Sequence, residues 1–97
     1  MSKLFVLEIP QQRDAVAYEI DKKKLITYVA NAPEYADTIP QHGFEDDTLT
    51  LEQVREVMMS NLHGVLFFEN ENEVREFIKN YDGHQDIRCK NALEELL

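Results

Sequence analysis

The chain has 97 residues and a net charge of −9, with 19 acidic residues against 10 basic ones. This is the usual size of one domain, so we expect a single acidic domain over residues 1–97. Hydrophobic residues make up 43% of the chain, which is enough to build a core and excludes wholesale disorder. A single cysteine cannot form an intrachain disulfide, which favours a reducing compartment and predicts a cytoplasmic protein.

The negative charge is concentrated in the second half of the sequence. Residues 1–44 carry five basic and six acidic side chains, whereas residues 45–97 carry five basic and thirteen acidic ones. Direct binding to nucleic acid requires a basic surface, which this distribution does not provide. The charge also repels anionic lipid, and no run approaches the roughly 20 apolar residues that cross a bilayer. We therefore expect contact with neither nucleic acid nor membrane.

The first thirty residues predict three strands. Residues 3–9 form a short run of branched and aromatic side chains that ends at a proline. Two similar runs cover residues 15–20 and 25–30, and the charged tetrad at 21–24 between them suits a hairpin turn. The expected beginning is a three-stranded, antiparallel sheet.

Residues 31–47 follow with neither helical nor strand periodicity, so we expect a long loop that holds one helical turn. Thr50 and Gln53 then form a capping box, in which each side chain bonds the backbone N–H of the other residue. Apolar residues recur behind the box at helical spacing. The first helix is expected over about residues 51–61.

A continuous apolar run at residues 65–68 predicts a fourth strand within 64–69. Asn70 and Glu73 form a second capping box, and an apolar stripe at helical spacing follows. Gly83 is expected to terminate this second helix.

The tail predicts a short edge strand over residues 84–89 and a final helix over 90–97. The expected fold is α+β: an N-terminal antiparallel hairpin sheet, then helix, strand and helix, with the helices packed on one face of a four- to five-stranded sheet. The other sheet face would stay open to a partner. A homodimer through that face or through an edge strand is a further expectation.

Catalytic, metal and cofactor motifs are weak in this sequence. Cys89 with a nearby histidine would supply a thiol nucleophile, but no hydrolase signature surrounds it. Three histidines with Cys89 would suit zinc in donor type, but they lack the paired short spacings of structural zinc sites. No glycine-rich phosphate loop is present. We expect a protein that is not an enzyme and needs no metal or cofactor, with a small Cys89 or histidine enzyme as an alternative.

Acidic residues around the second helix form the strongest candidate binding surface. Three of them, Glu69, Glu73 and Glu76, fall three or four residues apart and would share one helix face. Their mutual repulsion lowers helix stability, a cost that a binding surface would justify. A second acidic run precedes the first helix, where it would also favour the helix dipole. With two aromatic residues of the long loop, the expected partner-binding set is Glu69, Glu71, Glu73, Glu76, Glu45, Asp46, Asp47, Tyr35 and Phe44.

These observations predict a non-enzymatic protein-binding module or inhibitor that meets a basic surface on a partner protein, such as a nucleic-acid-binding protein. In charge and size only, the chain resembles the small acidic nucleic-acid mimics that phages and mobile elements use against host restriction or CRISPR systems. That resemblance implies an inhibitor that occupies a basic groove. The alternative is a structural or regulatory subunit that associates through apolar surface.

Overall fold

Three strands form one antiparallel sheet. The computed structural model describes residues 3–45, 48–61, 64–84 and 86–97. The central strand is β1 (Lys3–Glu8), with β2 (Val16–Asp21) on one side and β3 (Val65–Phe68) on the other. Both pairings are antiparallel. The first, second and fourth predicted strands are therefore confirmed.

Helices surround the sheet. They are α1 (Lys22–Asn31), a 3-10 turn (Pro33–Tyr35), α2 (Thr38–Gln41), α3 (Leu51–Asn61), α4 (Glu71–Lys79) and α5 (Ile87–Leu96). The chain is thus a small α+β protein, as expected, but the sheet within the described ranges has three strands rather than four to five. None of the described helices combines the length and apolar character needed to cross a membrane.

The strand expected at residues 25–30 is a helix in the structure. Asp21, expected in a hairpin turn, is the N-cap of α1, and its Oδ1 accepts hydrogen bonds of 2.9 and 3.3 Å from two backbone N–H groups of the first turn. Leu25 and Val29 lie one turn apart and are both buried. The cap and this buried face outweigh the strand propensity of the branched and aromatic residues between them.

Replacing Asp21 with alanine should lower the free energy of unfolding by about 1 kcal/mol, because two backbone N–H groups lose their acceptor. Asn is an equally good cap, so Asp21→Asn should leave the free energy nearly unchanged. Urea denaturation followed by circular dichroism measures both variants. Equal stability of the alanine variant and the wild type would argue against a helix at residues 22–31.

Both faces of the sheet are covered by helices, which corrects the expectation of helices on one face. Leu4 and Val6 of β1 belong to a core cluster that also holds buried residues of α1, the 3-10 turn and α3. We call this side the first face. Phe5 and Leu7 alternate with them along β1 and belong to a second cluster, with buried residues of α4 and α5. The second face was expected to be open to a partner, but α4 and α5 pack on it.

Two other segments differ from the sequence prediction. The expected edge strand at 84–89 contains the start of α5, which Asp86 caps by accepting a 2.9 Å hydrogen bond from the Arg88 backbone N–H. Cys89 and Leu93 lie one turn apart on α5 and are buried. The expected loop at 31–47 contains the 3-10 turn and α2, which is more helix than the single turn predicted.

The capping box before α3 is confirmed. The Gln53 N–H donates to Thr50 Oγ1 at 3.2 Å, and the Thr50 N–H donates to Gln53 Oε1 at 2.9 Å. This reciprocal pair fixes the start of the helix, and α3 begins at the predicted residue, Leu51. Gly83, expected to end the second helix, lies four residues beyond α4 with φ of 87°, a left-handed conformation that favours glycine.

Candidate functional site

The acidic surface expected around α4 begins at the N-terminus of that helix. Asn70 is the N-cap, and its Oδ1 accepts a 3.0 Å hydrogen bond from the Glu73 backbone N–H. The Glu73 carboxylate in turn accepts a hydrogen bond from the Glu69 N–H, one residue before the partner that the sequence predicts. The second capping box is therefore present in a shifted form, and it fixes the Glu73 side chain at the junction of β3 and α4.

Two of the four glutamates expected on this surface are engaged in ion pairs. Glu69 accepts from Lys22 Nζ at 2.6 Å, and Glu71 accepts from Arg75 Nη2 at 2.9 Å. Both pairs are exposed, so each contributes little to stability, but each reduces the free negative charge of the surface. Glu73 and Glu76 are exposed as well. Neither takes part in an ion pair within the described ranges.

A groove beside α4 brings acidic and aromatic side chains together. We call it the α4 groove; it has a volume of about 570 Å³ and is lined by Phe67, Phe68, Asn70, Asn72, Glu73, Glu76, Phe77 and Asn80. The rings of Phe68 and Phe77 meet edge to face, with centroids 5.6 Å apart. That contact gives the groove a packed aromatic floor. Among the residues that the structure describes, its polar lining offers amides and carboxylates but no basic group.

The remaining acids expected to bind a partner lie before α3. Glu45 is exposed, and its backbone carbonyl accepts a 3.1 Å hydrogen bond from the Thr48 N–H. Asp46 and Asp47 lie outside the described residues. Glu45, the described member of this acidic run, does not line the α4 groove.

The two aromatic residues proposed as partner anchors are tied into the fold. The sequence predicts Tyr35 as an aromatic anchor for a partner, whereas in the structure its side chain is 3% exposed and belongs to the core cluster on the first face. The 3-10 turn directs its side chain inward. Phe44 is half-buried and stacks on the His42 ring, with ring centroids 5.4 Å apart. His42 Nε2 lies 2.8 Å from Ser60 Oγ.

A second concave site lies on the first face, between the sheet, α1 and the 3-10 turn. We call it the tyrosine pocket; its volume is about 380 Å³, and it is lined by Glu8, Tyr18, Ile20, Leu25, Tyr28, Glu34 and Tyr35. Leu25 and Tyr35 are almost fully buried and form its floor, whereas Tyr28 and Glu34 are exposed and form its rim. Tyr28 donates a 3.1 Å hydrogen bond to Glu34 Oε1 across that rim.

Burial changes the acidity of the groups in the tyrosine pocket. It raises the pKa of Glu8, an effect that hydrogen bonding from Tyr18 opposes and the Glu34 charge adds to. Burial, together with the Glu8 carboxylate, also raises the pKa of Tyr18. For Tyr35, burial and the Glu34 charge raise the pKa to about 12. All these phenols are therefore neutral at pH 7.

The sequence contains a signal for this pocket in the alternation of side chains along β1. Glu8 is in phase with Leu4 and Val6 along β1, so strand alternation places a carboxylate on a core face. In the antiparallel register Tyr18 lies opposite Val6 and is therefore a diagonal neighbour of Glu8. The contribution of α1 was not predictable, because that segment was expected to be a strand.

The structure weakens the case for a Cys89 nucleophile. Cys89 is 4% exposed, and burial followed by the Asp86 charge raises the pKa of its thiol. A raised pKa disfavours the thiolate that a nucleophile requires. Over the ranges that the structure describes, no group of three or more histidine, cysteine or acidic side chains is arranged to hold a metal ion.

Comparison of the chain with protein families, with characterised proteins and with solved structures finds no match.

Proposed function

We propose that this chain is a non-enzymatic protein-binding module whose α4 groove receives a basic, amphipathic segment of a partner protein. The observation that carries the proposal is the lining of the groove, where the carboxylates of Glu73 and Glu76 lie beside three phenylalanine side chains. The rings would bury apolar side chains of the partner, and the carboxylates would pair with its lysines or arginines.

The charge of the whole chain supports the same choice of partner. A net charge of −9 on 97 residues attracts a basic surface over distances of about one Debye length, roughly 10 Å at 0.1 M salt. Association would therefore be fast at low salt and would weaken as salt is added.

A nucleic-acid mimic is a narrower form of this proposal, and it has less support. Such a mimic needs a dense array of unpaired carboxylates, whereas Glu69 and Glu71 are each paired with a basic side chain. A subunit that associates through an open sheet face is also less favoured, because helices cover both faces. An acidic groove with an aromatic floor fits a basic peptide segment better than either.

The test is an affinity pull-down with the full chain from a lysate of its source organism, in about 0.05 M and about 0.5 M salt, with captured proteins identified by mass spectrometry. The key variant is Glu73→Gln with Glu76→Gln, because glutamine at position 73 preserves the capping box. We expect recovery of the partner to fall at least about tenfold with the double variant at low salt, and also with the wild type at high salt.

The matched control is Glu52→Gln with Glu56→Gln, which removes the same charge from exposed positions of α3 outside the groove. It should retain the partner nearly as well as the wild type. If the wild type and the Glu73 and Glu76 variant capture the same proteins equally at both salt concentrations, the groove is not the binding site.

A further inference from the structure

The tyrosine pocket holds negative charge that the protein itself does not neutralise. Glu8 is half-buried, and Glu34 lies at the rim. The ion pairs within the described ranges all involve other carboxylates, and the pocket lining contains no lysine or arginine. Arg13 and Asp14 line a separate cavity that also borders Glu8. Within the described ranges, Arg13 forms no ion pair with Glu8. A carboxylate removed partly from water without a counter-charge destabilises the fold.

Two of the three tyrosine hydroxyl groups of the pocket are directed at its own carboxylates. Tyr28 donates to Glu34, and Tyr18 acts as a hydrogen-bond donor toward Glu8. What remains for a guest is carboxylate lone pairs, the faces of aromatic rings and the hydroxyl of Tyr35. The carboxylates and the ring faces attract cations and repel anions, so phosphate, sulfate and carboxylate ligands are disfavoured.

The rest of the lining is apolar. Ile20 and Leu25 offer hydrocarbon surface beside the charged groups. A volume of about 380 Å³ is at the small end of the range for small-molecule sites, so it fits a short chain or a single side chain. The complementary guest has a positive nitrogen at one end and a few methylene groups behind it.

We propose that the tyrosine pocket binds an alkylammonium group, with the ammonium between Glu8 and the tyrosine rings and the alkyl stem against Ile20 and Leu25. The group would come from a free primary amine or from a lysine side chain of another protein. This site is separate from the α4 groove, and the proposal stands or falls independently of the function proposed for that groove.

Tyrosine fluorescence is a direct probe of this site. The chain has no tryptophan and four tyrosines, and three of those four line the pocket. Titration of the full chain with n-butylammonium chloride should give a saturable change in tyrosine emission. The neutral isostere n-butanol, at the same concentrations, should give a change at least about tenfold weaker, because it lacks the charge. Equal responses to the two compounds, or no saturable response to n-butylammonium, would overturn the proposal.

Glu8→Gln tests the role of the carboxylate. The substitution keeps the shape and an oxygen acceptor for Tyr18, and removes the charge. We expect the affinity for n-butylammonium to fall about tenfold or more. The matched control is Glu19→Gln, at an exposed site on β2 whose residue alternates with Tyr18 and Ile20 and lies outside the pocket. It should bind within about twofold of the wild type, since an exposed ion pair such as that of Glu19 with Lys3 is weak. Unchanged affinity in Glu8→Gln would exclude the site.

Loss of binding in Glu8→Gln should not reflect unfolding. Burial raises the pKa of Glu8 in the folded chain above that of an exposed glutamate, so the ionised carboxylate disfavours the fold. The wild type therefore loses stability as the pH rises from the unfolded pKa of Glu8 through its folded pKa. The ionisable groups around Glu8 are Tyr18, Tyr28, Glu34, Tyr35, Arg13 and Asp14. The glutamine variant should be at least as stable as the wild type at pH 7, and this difference should shrink toward pH 4. Urea denaturation at several pH values measures it.

A second titration distinguishes the two sources of the amine. N-acetyl-lysine methylamide carries the same ammonium on a peptide backbone. If it binds as tightly as n-butylammonium, the pocket accepts the lysine side chain of a protein. If only n-butylammonium binds, the pocket takes a free amine. Either result supports the alkylammonium proposal, and failure of both compounds contradicts it.

Discussion

Replacing Leu93 with alanine should lower the free energy of unfolding by about 2 to 5 kcal/mol. Leu93 lies on α5, has no exposed surface and packs in the core cluster of the second face. The truncation removes several buried carbon atoms and leaves a cavity that the surrounding helices and sheet fill only in part. Because total stability of such a domain is about 5 to 15 kcal/mol, the variant should lose a large share of it.

Urea denaturation followed by circular dichroism measures the change. Leu97→Ala is the matched control, because Leu97 is 42% exposed beside the same helix and its truncation should change stability by about 0.5 kcal/mol or less. Leu25→Ala, on α1 and the first face, should cost about as much as Leu93→Ala. A negligible effect of Leu93→Ala would mean that α5 does not cover the second face of the sheet.

The second large effect is expected for Tyr35→Ala, which should cost about 3 to 5 kcal/mol of stability. The sequence favours Tyr35 as an aromatic anchor in a loop, and a side chain exposed to a partner there could be truncated at little cost to stability. In the structure its side chain is 3% exposed within the core cluster of the first face. Its loss would open a cavity beneath α1 and remove most of the floor of the tyrosine pocket.

Tyr35→Phe removes only the hydroxyl and so distinguishes its contribution from that of the ring. This variant should retain most of the stability, because the ring supplies most of the buried area. Tyr28→Ala is the matched control on the same side of the sheet. Tyr28 is 56% exposed, so its truncation should cost much less than that of Tyr35. Similar losses for the two alanine variants in thermal or urea denaturation would contradict the buried placement of Tyr35.

The elements that the sequence predicts correctly are those with strong local signals. The Thr50 and Gln53 box fixes the start of α3, and Asn70 fixes the start of α4. β1 and β3 are short apolar runs with turn residues near their ends. In each case the preferences of neighbouring residues and the tertiary packing favour the same structure.

Local residue preferences predict the wrong secondary structure where tertiary packing determines it. Residues 25–30 are rich in branched and aromatic side chains and read as a strand, yet they form most of α1 because Leu25 and Val29 share a buried face. The start of α5 is predicted wrongly for a similar reason. Cys89 and Leu93 are spaced as on one face of a helix, but this spacing indicates a helix only if Asp86 is its N-cap. In both cases the local sequence favours a turn or a strand at an aspartate that caps a helix in the structure.

The sequence also carries a signal for helices on both faces of the sheet. β1 contains a continuous apolar run at residues 4–7, and both of its alternating faces carry large side chains. Such a run is typical of a strand covered on both sides, as the sequence predicts for residues 65–68. The same pattern at residues 4–7 agrees with the helices found on both faces of the sheet.

For the candidate sites, the sequence predicts the acids and misses their surroundings. Glu73 and Glu76 were expected on one helix face, and the structure places both along the α4 groove. The phenylalanines that make this groove amphipathic come from β3 and α4 together, a contact that no single segment reveals. Glu8 and Tyr18 meet across two strands, so their pairing depends on register.

The order in which the chain covers its sheet has a consequence for synthesis. Helices on the first face come from residues 22–61, between β2 and β3, whereas those on the second face come from residues 71–96. When a ribosome has released only the first seventy residues, the complete sheet can form while Leu7 and Phe68 still lack the helices that later bury them. A nascent chain that pauses there would present an apolar sheet surface to chaperones, and a product truncated at that point would be prone to aggregate.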